Sequence, residues 1–165
     1  MQRLWRLLVA LSLLMALLVA CGGGSQSTTG TSSPNVERAA GEPLKIAFIY
    51  NGPIGDLGWN WAHDQGRLAI SEEFRDRVLM TSVESVSEEQ ATQVIRDYAQ
   101  QGYHLIFTPA SGFIDPTIEV AKEFPNTWFI HASGSKTAPN VSTVFGRMEI
   151  PRYLSGIVAG SATES

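Results

Sequence analysis

Short apolar runs alternate with amphipathic segments along most of the chain. The first run covers residues 44–50 and lies between Pro43 and the turn-forming sequence Asn51-Gly52-Pro53. An almost unbroken apolar run of this kind is typical of a strand that is buried on both faces. Four similar runs follow, and together they predict the strands of one sheet: residues 44–50, 78–83, 103–108, 127–132 and 142–145.

Helical patterns lie between the apolar runs. In residues 88–101 the apolar side chains recur on one helical face. Ser87 and Gln90 form a capping box before this helix, and Gly102 stops it. A further helix is predicted over residues 58–74, with inward positions at Ala62, Ala69, Ile70 and Phe74.

Two more helices complete the pattern. Asp115 as N-cap and Pro116 as the first helical residue predict a short one. Pro151 opens the last helix, in which Gly156 and Gly160 predict close packing on the sheet. Strand and helix alternate through the chain, which predicts an α/β fold with a mostly parallel sheet and helices on both faces.

Residues 1–21 predict a lipoprotein signal peptide. Arg3 and Arg6 precede residues 7–20, of which only Ser12 is not apolar. As a helix these residues would span about 21 Å, which is short of the ~30 Å hydrocarbon core, so a secretory signal is favoured over a transmembrane helix. The sequence Leu18-Val19-Ala20-Cys21 resembles the bacterial lipobox, which implies that Cys21 is acylated and anchors the protein to the membrane. The alternative is a buried thiol in a short core helix.

Composition separates a tether from a folded region. Residues 22–43 are rich in Gly, Ser and Thr in their first half and have no apolar periodicity, which predicts a flexible tether before a folded lobe over residues 44–165.

Charge and cysteine content exclude several classes of protein. Outside residues 1–21 the chain has ten basic and sixteen acidic side chains. This balance disfavours a nucleic-acid partner. One cysteine and three scattered histidines exclude a disulfide scaffold and provide no zinc-ligand spacing.

Ligands of open parallel sheets bind beyond the carboxyl ends of the strands. The loop over residues 51–60 combines three glycines with Asp56 and Trp59, so that backbone amides and a flat indole can approach a ligand. Trp59 is interpreted as a stacking residue, with a core position as the alternative. The glycines are spaced GxxGxxG and not GxGxxG, which argues against a dinucleotide with Glu84 on its ribose, and no cofactor is predicted. Three other loops are expected at this edge: residues 109–115, 131–136 and 146–149.

Two further acids are candidates for the same site. Asp64 can accept hydrogen bonds from a polar ligand or be solvated, and it does not face its neighbour His63 as a catalytic partner would. Asp115 either caps its helix or receives ligand hydroxyls or amines. Ser111 and Ser133 lack the GxSxG context of a nucleophile, so an enzyme is not expected.

Several segments resemble the basic membrane protein family, whose members are substrate-binding lipoproteins of ABC importers and include purine-nucleoside receptors. The resemblance begins with Lys45-Ile-Ala-Phe-Ile-Tyr-Asn-Gly-Pro-Ile-Gly-Asp-Leu-Gly-Trp59 and Ala62-His-Asp-Gln-Gly-Arg67. It continues in Gly112-Phe-Ile-Asp-Pro116 and in Tyr153-Leu-Ser-Gly-Ile-Val-Ala-Gly160. It implies the N-terminal lobe of a type I periplasmic-binding-protein-like fold, on the extracytoplasmic face of the cell membrane. It also implies a purine nucleoside or base as ligand, and permease and ATPase subunits as partners.

The resemblance also implies roles for individual residues. Asp56, Trp59 and Asn60 match the acid, the aromatic residue and the amide of the family's first loop, and Asp115 matches an acid associated with sugar hydroxyls. Asp64 stands where many nucleoside receptors have an aromatic residue, which favours a free base or another polar ring. Family members are considerably longer, so the chain is expected to be a truncated form without the second lobe. The alternatives are an extracytoplasmic reductase or hydrolase, and a tethered sensor domain without transport.

Overall fold

The computed structural model describes residues 41–163, and within them five strands form one sheet. The predicted signal, Cys21 and most of the predicted tether lie outside the described residues. The strands are β1 Leu44–Ile49, β2 Val78–Val83, β3 Leu105–Thr108, β4 Trp128–Ala132 and β5 Val141–Val144. They lie in the order β2-β1-β3-β4-β5, and each neighbouring pair is parallel. The parallel α/β fold predicted from the alternating pattern is therefore confirmed.

Four α-helices connect or follow the strands. They are α1 Trp59–Phe74, α2 Glu88–Gln100, α3 Ile114–Glu123 and α4 Glu149–Ala162. The predicted capping box of α2 is confirmed, because the side chains of Ser87 and Gln90 each accept a hydrogen bond from the other's backbone N–H. Gly102 follows α2 with a φ of +74°, a left-handed conformation that ends the helix.

The predicted start of α3 is wrong by two residues. Phe113 is the N-cap, so Asp115 lies inside the first turn and does not cap the helix. A short 3₁₀ turn over Ser111–Phe113 runs directly into α3, which moves its start toward the strand. Pro116 is still tolerated, because backbone N–H groups of the first turn have no partner within the helix.

The first face of the sheet carries the larger apolar core. Helices α2 and α3 cover this face, and their buried side chains interlock with alternate residues of four strands. Fully buried aromatic side chains at Phe113 and Phe129 fill the space beneath the helices. The strands contribute Ala47, Ile49, Ile106, Phe129 and Val141, and the helices contribute Ala91, Ile95, Ala99, Val120 and Ala121.

The second face is covered differently. Helix α1 lies on it over a smaller cluster of Ile46, Phe48 and Tyr50. The predicted inward positions of α1 are wrong, since Ala62, Ala69 and Phe74 are exposed and Ile70 is only half-buried; the buried side chains are the polar Asn60 and Asp64. The apolar residues of α1 are spread around its circumference, so the sequence contained no single stripe to follow.

Helix α4 does not pack on the sheet. All of its residues are exposed, including the large apolar side chains of Tyr153, Leu154, Ile157 and Val158. The predicted close packing at its glycines is therefore wrong, because a Cβ atom added at Gly156 or Gly160 would meet no other atom within 4 Å. In the part of the chain that the structure describes, no helix combines the length and the apolar character that a membrane crossing requires.

The two glycines at positions 66 and 102 provide a matched test of this backbone. Gly102→Ala is expected to lower the free energy of unfolding by about 1 kcal/mol, because alanine resists the left-handed conformation. Gly66→Ala, in open space inside α1, is expected to raise it by about 0.5 to 1 kcal/mol. Urea denaturation followed by circular dichroism measures both changes, and a shift of the same sign in both variants would contradict the expectation.

Candidate functional site

The loop after β1 is held by hydrogen bonds to the first residues after β2. A carboxylate oxygen of Glu84 accepts a hydrogen bond of 2.8 Å from the backbone N–H of Ile54, at the start of a 3₁₀ turn over Ile54–Asp56. The backbone N–H of Ser85 reaches the carbonyl of Gly52 at 3.4 Å. Glu84 therefore holds this loop in place, and the loop stands at the carboxyl edge of the sheet.

Trp59 ties this first loop to two of its neighbours. Its indole Nε1 donates a hydrogen bond of 2.8 Å to the backbone carbonyl of Pro109, in the loop after β3. The centre of the indole lies 6.3 Å from the Phe145 ring, in the loop after β5. The ring of His63 meets it edge-on at 4.6 Å. The Trp59 side chain is nevertheless 40% exposed, so it lies at the edge of the sheet with part of its surface open.

Asp56 and Asn60 flank Trp59 in the sequence and differ in exposure. Asp56 is exposed, and one of its oxygens accepts a hydrogen bond of 2.8 Å from the backbone N–H of Gly58 at the start of α1. Asn60 is only 6% exposed, and no donor among the described residues reaches its Oδ1. A buried carbonyl oxygen without a donor is energetically unfavourable, so Asn60 is a candidate acceptor, but its enclosed Oδ1 comes within reach of a ligand only if the residues around it shift.

Asp64 lies one turn further along α1 and faces the sheet. Its carboxylate accepts hydrogen bonds from Nε of Arg67 at 2.5 Å, from Nη2 of Arg67 at 3.2 Å and from the hydroxyl of Tyr50 at 3.2 Å. Burial together with this carboxylate raises the pKa of Tyr50, and the hydrogen bond to Asp64 raises the pKa of Arg67. Asp64, which the sequence offered as an acceptor for a polar ligand or as a solvated group, is a buried carboxylate with protein partners on both oxygens, so it is not solvated. These contacts support a structural role for it.

Asp115 meets the loop after β4. Its carboxylate pairs with the ammonium group of Lys136, and both side chains are mostly exposed. The pair joins the first turn of α3 to the 131–136 loop. Together with the hydrogen bond from Trp59 to Pro109, it joins three of the predicted loops at one edge. Phe145, which lies next to Trp59, directly precedes the fourth. Asp56, Trp59, Asn60 and Asp115 belong to this edge, whereas Asp64 lies beneath it.

His131 is the buried residue that sequence reasoning did not single out. It is the last but one residue of β4, is fully buried, and lies beside Thr108 of β3 in the parallel register. Its Nδ1 is 3.1 Å from the hydroxyl of Thr108. Burial lowers the pKa of His131. The sequence carried only a partial signal: a threonine ends one buried run and a histidine stands one residue before the end of the next, but nothing local to either residue pairs them.

The described residues contain no cluster of three or more histidine, cysteine, aspartate or glutamate side chains that is arranged to hold a metal ion. What the edge offers is an open indole surface, a buried amide oxygen and two exposed carboxylates, one of them paired with a lysine. These groups can stack on a flat ring and accept hydrogen bonds from it.

Sequence comparison identifies relatives of known class. A family model described as "ABC transporter substrate-binding protein PnrA-like" matches residues 44–165. The chain is 44% identical over 126 residues to a purine-binding protein of Brucella abortus, covering 76% of this chain and 36% of the relative. It is 38% identical over 145 residues to a putative ABC transporter glucose-binding protein of Haloferax volcanii, covering 84% of this chain and 37% of the relative. The chain therefore spans about a third of the length of these relatives.

The fold is shared with a solved solute-binding protein. An ABC transporter solute-binding protein from Conexibacter woesei superposes with a TM-score of 0.63 at 25% sequence identity. The match covers 72% of this chain and 40% of that protein. The expectation of a periplasmic-binding-protein-like lobe is confirmed by this likeness.

Two of the candidate site carboxylates, Asp64 and Asp115, pair with basic side chains and can be compared directly. Asp64→Asn is expected to lower the free energy of unfolding by about 3 kcal/mol, because it leaves a partly buried guanidinium without its partner. Asp115→Asn, at the exposed pair with Lys136, is expected to cost less than about 1 kcal/mol. Chemical denaturation of both variants checks this order, and equal losses would show that Asp64 has no such structural role.

The free energy of unfolding is expected to fall on acidification, because burial disfavours the protonation of two histidines in the folded protein. Burial lowers the pKa values of His131 and His63 in the folded protein, whereas the unfolded chain takes up protons near the ordinary value of about 6.5. The unfolded state then binds more protons, so stability declines as the pH falls below about 6.5. The double variant His131→Asn with His63→Asn should show a flatter stability profile between about pH 8 and about pH 5.5. An unchanged slope would contradict this assignment.

Proposed function

The chain belongs to the PnrA-like family of ABC transporter substrate-binding proteins, and we propose that it supplies one wall of a binding site for a purine base or purine nucleoside. In this proposal the indole of Trp59 stacks on the ring, and acceptor groups around it receive the ring's N–H groups. The purine-binding relative from Brucella abortus supports this choice of ligand.

The observation that carries the proposal is the position of Trp59. A hydrogen bond to the carbonyl of Pro109 and the edge-on contact with His63 fix the indole, and 40% of the side chain stays exposed at the edge where the loops converge. A fixed aromatic ring loses little conformational freedom when a second ring stacks on it. Such stacking contributes about 1 to 3 kcal/mol per base in other systems.

The hydrogen-bonding groups next to Trp59 are acceptors. Asp56 is exposed, and its carboxylate accepts a hydrogen bond from the backbone N–H of Gly58. The Oδ1 of Asn60 is buried and has no donor among the described residues. A ring with N–H groups satisfies such acceptors, whereas a ring with only carbonyl groups does not. Asp115 can accept further hydrogen bonds when it is not fully engaged by Lys136. Asp64 is left out of this set, because its oxygens already have partners.

The proposed transport role belongs to a full-length receptor, and this chain matches about a third of the length of its relatives. We propose that an opposing wall closes over the ligand and excludes water, and that the receptor delivers the ligand to a permease with its ATPase subunits. The lipobox-like sequence supports an acylated Cys21 that anchors the protein at the extracytoplasmic face of the membrane. In this role the protein binds and releases its ligand without chemical conversion.

A monosaccharide is the second candidate ligand. The Haloferax volcanii relative carries the name of a putative glucose-binding protein. An indole face also offers an apolar surface to a sugar ring, and carboxylates accept hydrogen bonds from its hydroxyl groups. The two candidates differ in what they require of the site, since a sugar needs the carboxylates and a purine needs the stacking surface.

Trp59 and Trp61 provide a matched pair of variants. Their side chains have almost the same exposure, at 40% and 37%, but only Trp59 donates to Pro109. Trp59→Ala is expected to weaken adenine binding by about tenfold or more, and Trp61→Ala by less than about threefold. Isothermal titration calorimetry with adenine, adenosine, guanosine, inosine and glucose measures both effects.

The ligand panel also decides between the candidates. Binding of glucose in preference to every purine would replace the purine assignment by the sugar one. An equal loss of purine affinity in the two tryptophan variants would show that stacking on Trp59 does not carry the binding. Tryptophan fluorescence quenching by the same ligands provides an independent measurement of affinity.

A further inference from the structure

The carboxyl edge of the sheet, where we propose that the ligand binds, is called here the ligand edge. Beneath it, buried polar side chains form a chain of hydrogen bonds in which the donor of each bond can be identified. The hydroxyl of Thr117 donates its one proton to the carbonyl of Phe113 at 2.6 Å. Thr117 must therefore accept from Thr108, whose hydroxyl lies 2.9 Å away. The proton of Thr108 is then used as well, so the Nδ1 of His131 must be the donor to Thr108 at 3.1 Å. His131 therefore carries a proton on Nδ1, and because its buried Nε2 has no acceptor among the described residues, the imidazole is neutral.

The opposite edge of the His131 ring, formed by Cδ2 and Nε2, contacts the loop that follows β4. A Cβ atom at position 134 would overlap Cδ2 of His131 and would lie 2.9 Å from its Nε2, so the backbone of Gly134 rests directly on the imidazole. Ile114 approaches the same place from the first turn of α3. The Nε2 of His131 is fully buried beneath this cover, and no donor among the described residues reaches it. His131 therefore makes no contact with the open edge itself.

Residues 133–136, called here the Lys136 loop, are held at three points. At the start, the backbone N–H of Ser133 donates to the carbonyl of Val144 at 2.9 Å, with Ser133 in a left-handed conformation at a φ of 70°. In the middle, Gly134 rests on His131. At the end, Lys136 pairs with Asp115. An exposed ion pair such as Lys136–Asp115 contributes little by itself. The buried contact between Gly134 and His131 therefore holds the loop more firmly than this pair does.

We propose that His131 is a positioning residue that holds the Lys136 loop, and with it the Lys136–Asp115 pair, at the ligand edge through its chain of hydrogen bonds to Thr108 and Thr117. The chain links the ends of β3 and β4 with the first turn of α3, because Thr117 is bound to the carbonyl of Phe113. The two halves of the charged pair are thus set by one buried network. An effect on ligand affinity rests on the proposed function, whereas the effect on the loop does not.

The network makes a spectroscopic prediction for the unaltered chain. Long-range ¹H–¹⁵N correlation spectra distinguish the two neutral tautomers of histidine. At neutral pH they are expected to show the proton of His131 on Nδ1. A proton on Nε2 alone would make Nδ1 the acceptor of the Thr108 hydroxyl, which would leave too few protons for the Thr108–Thr117 and Thr117–Phe113 bonds together. That result would overturn the proposal.

Thr108 allows the network to be cut without removing the ring. Thr108→Val keeps the shape of the side chain but removes the hydroxyl, and Thr108→Ser keeps the hydroxyl. In Thr108→Val, hydrogen exchange at the Ser133 amide, which is hydrogen-bonded to the Val144 carbonyl, is expected to accelerate by about tenfold relative to the amides of β1, and Thr108→Ser should restore the slow rate. Unchanged exchange at this amide in Thr108→Val would overturn the proposal.

Two further measurements keep the result interpretable. His131→Leu, which removes the Nδ1 donor, should accelerate exchange at the Ser133 amide, and it serves in place of Thr108→Val if the latter does not fold. Adenine affinity is measured on the same variants and is expected to fall severalfold in Thr108→Val but not in Thr108→Ser. If the unaltered chain binds no adenine, the purine proposal fails, whereas the tautomer and the exchange rates still decide the role of His131.

Discussion

Parallel pairing of all five strands is the constraint on which the candidate site depends. Because the described strands run in the same direction, the loops that leave their carboxyl ends meet at one edge of the sheet. The hydrogen bond from the Trp59 indole to the Pro109 carbonyl and the pair between Lys136 and Asp115 join these loops across different strands. A one-strand change in the order of the sheet would separate the groups that these contacts bring together.

The edge is supported from beneath by polar groups rather than by an apolar core alone. On the second face, the carboxylate of Asp64 holds Tyr50 and Arg67 under the start of α1. On the first face, His131 and Thr108 occupy the corresponding place under the Lys136 loop. Hydrogen-bonded side chains have a defined direction, so a buried network fixes orientations that apolar packing leaves open. This fits a site whose ligand must meet the indole and the acceptors in one geometry.

The two faces of the sheet differ in how completely the described helices cover them. Helices α2 and α3 bury apolar side chains from four strands on the first face, whereas α1 meets the second face largely through Asn60 and Asp64. Helix α4 keeps its apolar side chains exposed. The stability of this lobe therefore depends mainly on the first face, which also carries the His131 network.

The sequence by itself determined the strands, the existence of the four helices, the capping box at Ser87 and the edge at which the loops meet. These features follow from local periodicity and from the fixed direction of parallel strands, and both can be read without knowing any distant contact. Only the tertiary structure decided where the polar side chains point. Asp64 is buried because Tyr50, fourteen residues away, donates to it, and His131 is fixed by Thr108, twenty-three residues away. The pairing of Asp115 with Lys136 likewise spans twenty-one residues. A polar residue is buried or exposed according to the partners that the fold brings to it, and those partners leave no periodic trace in the sequence around it.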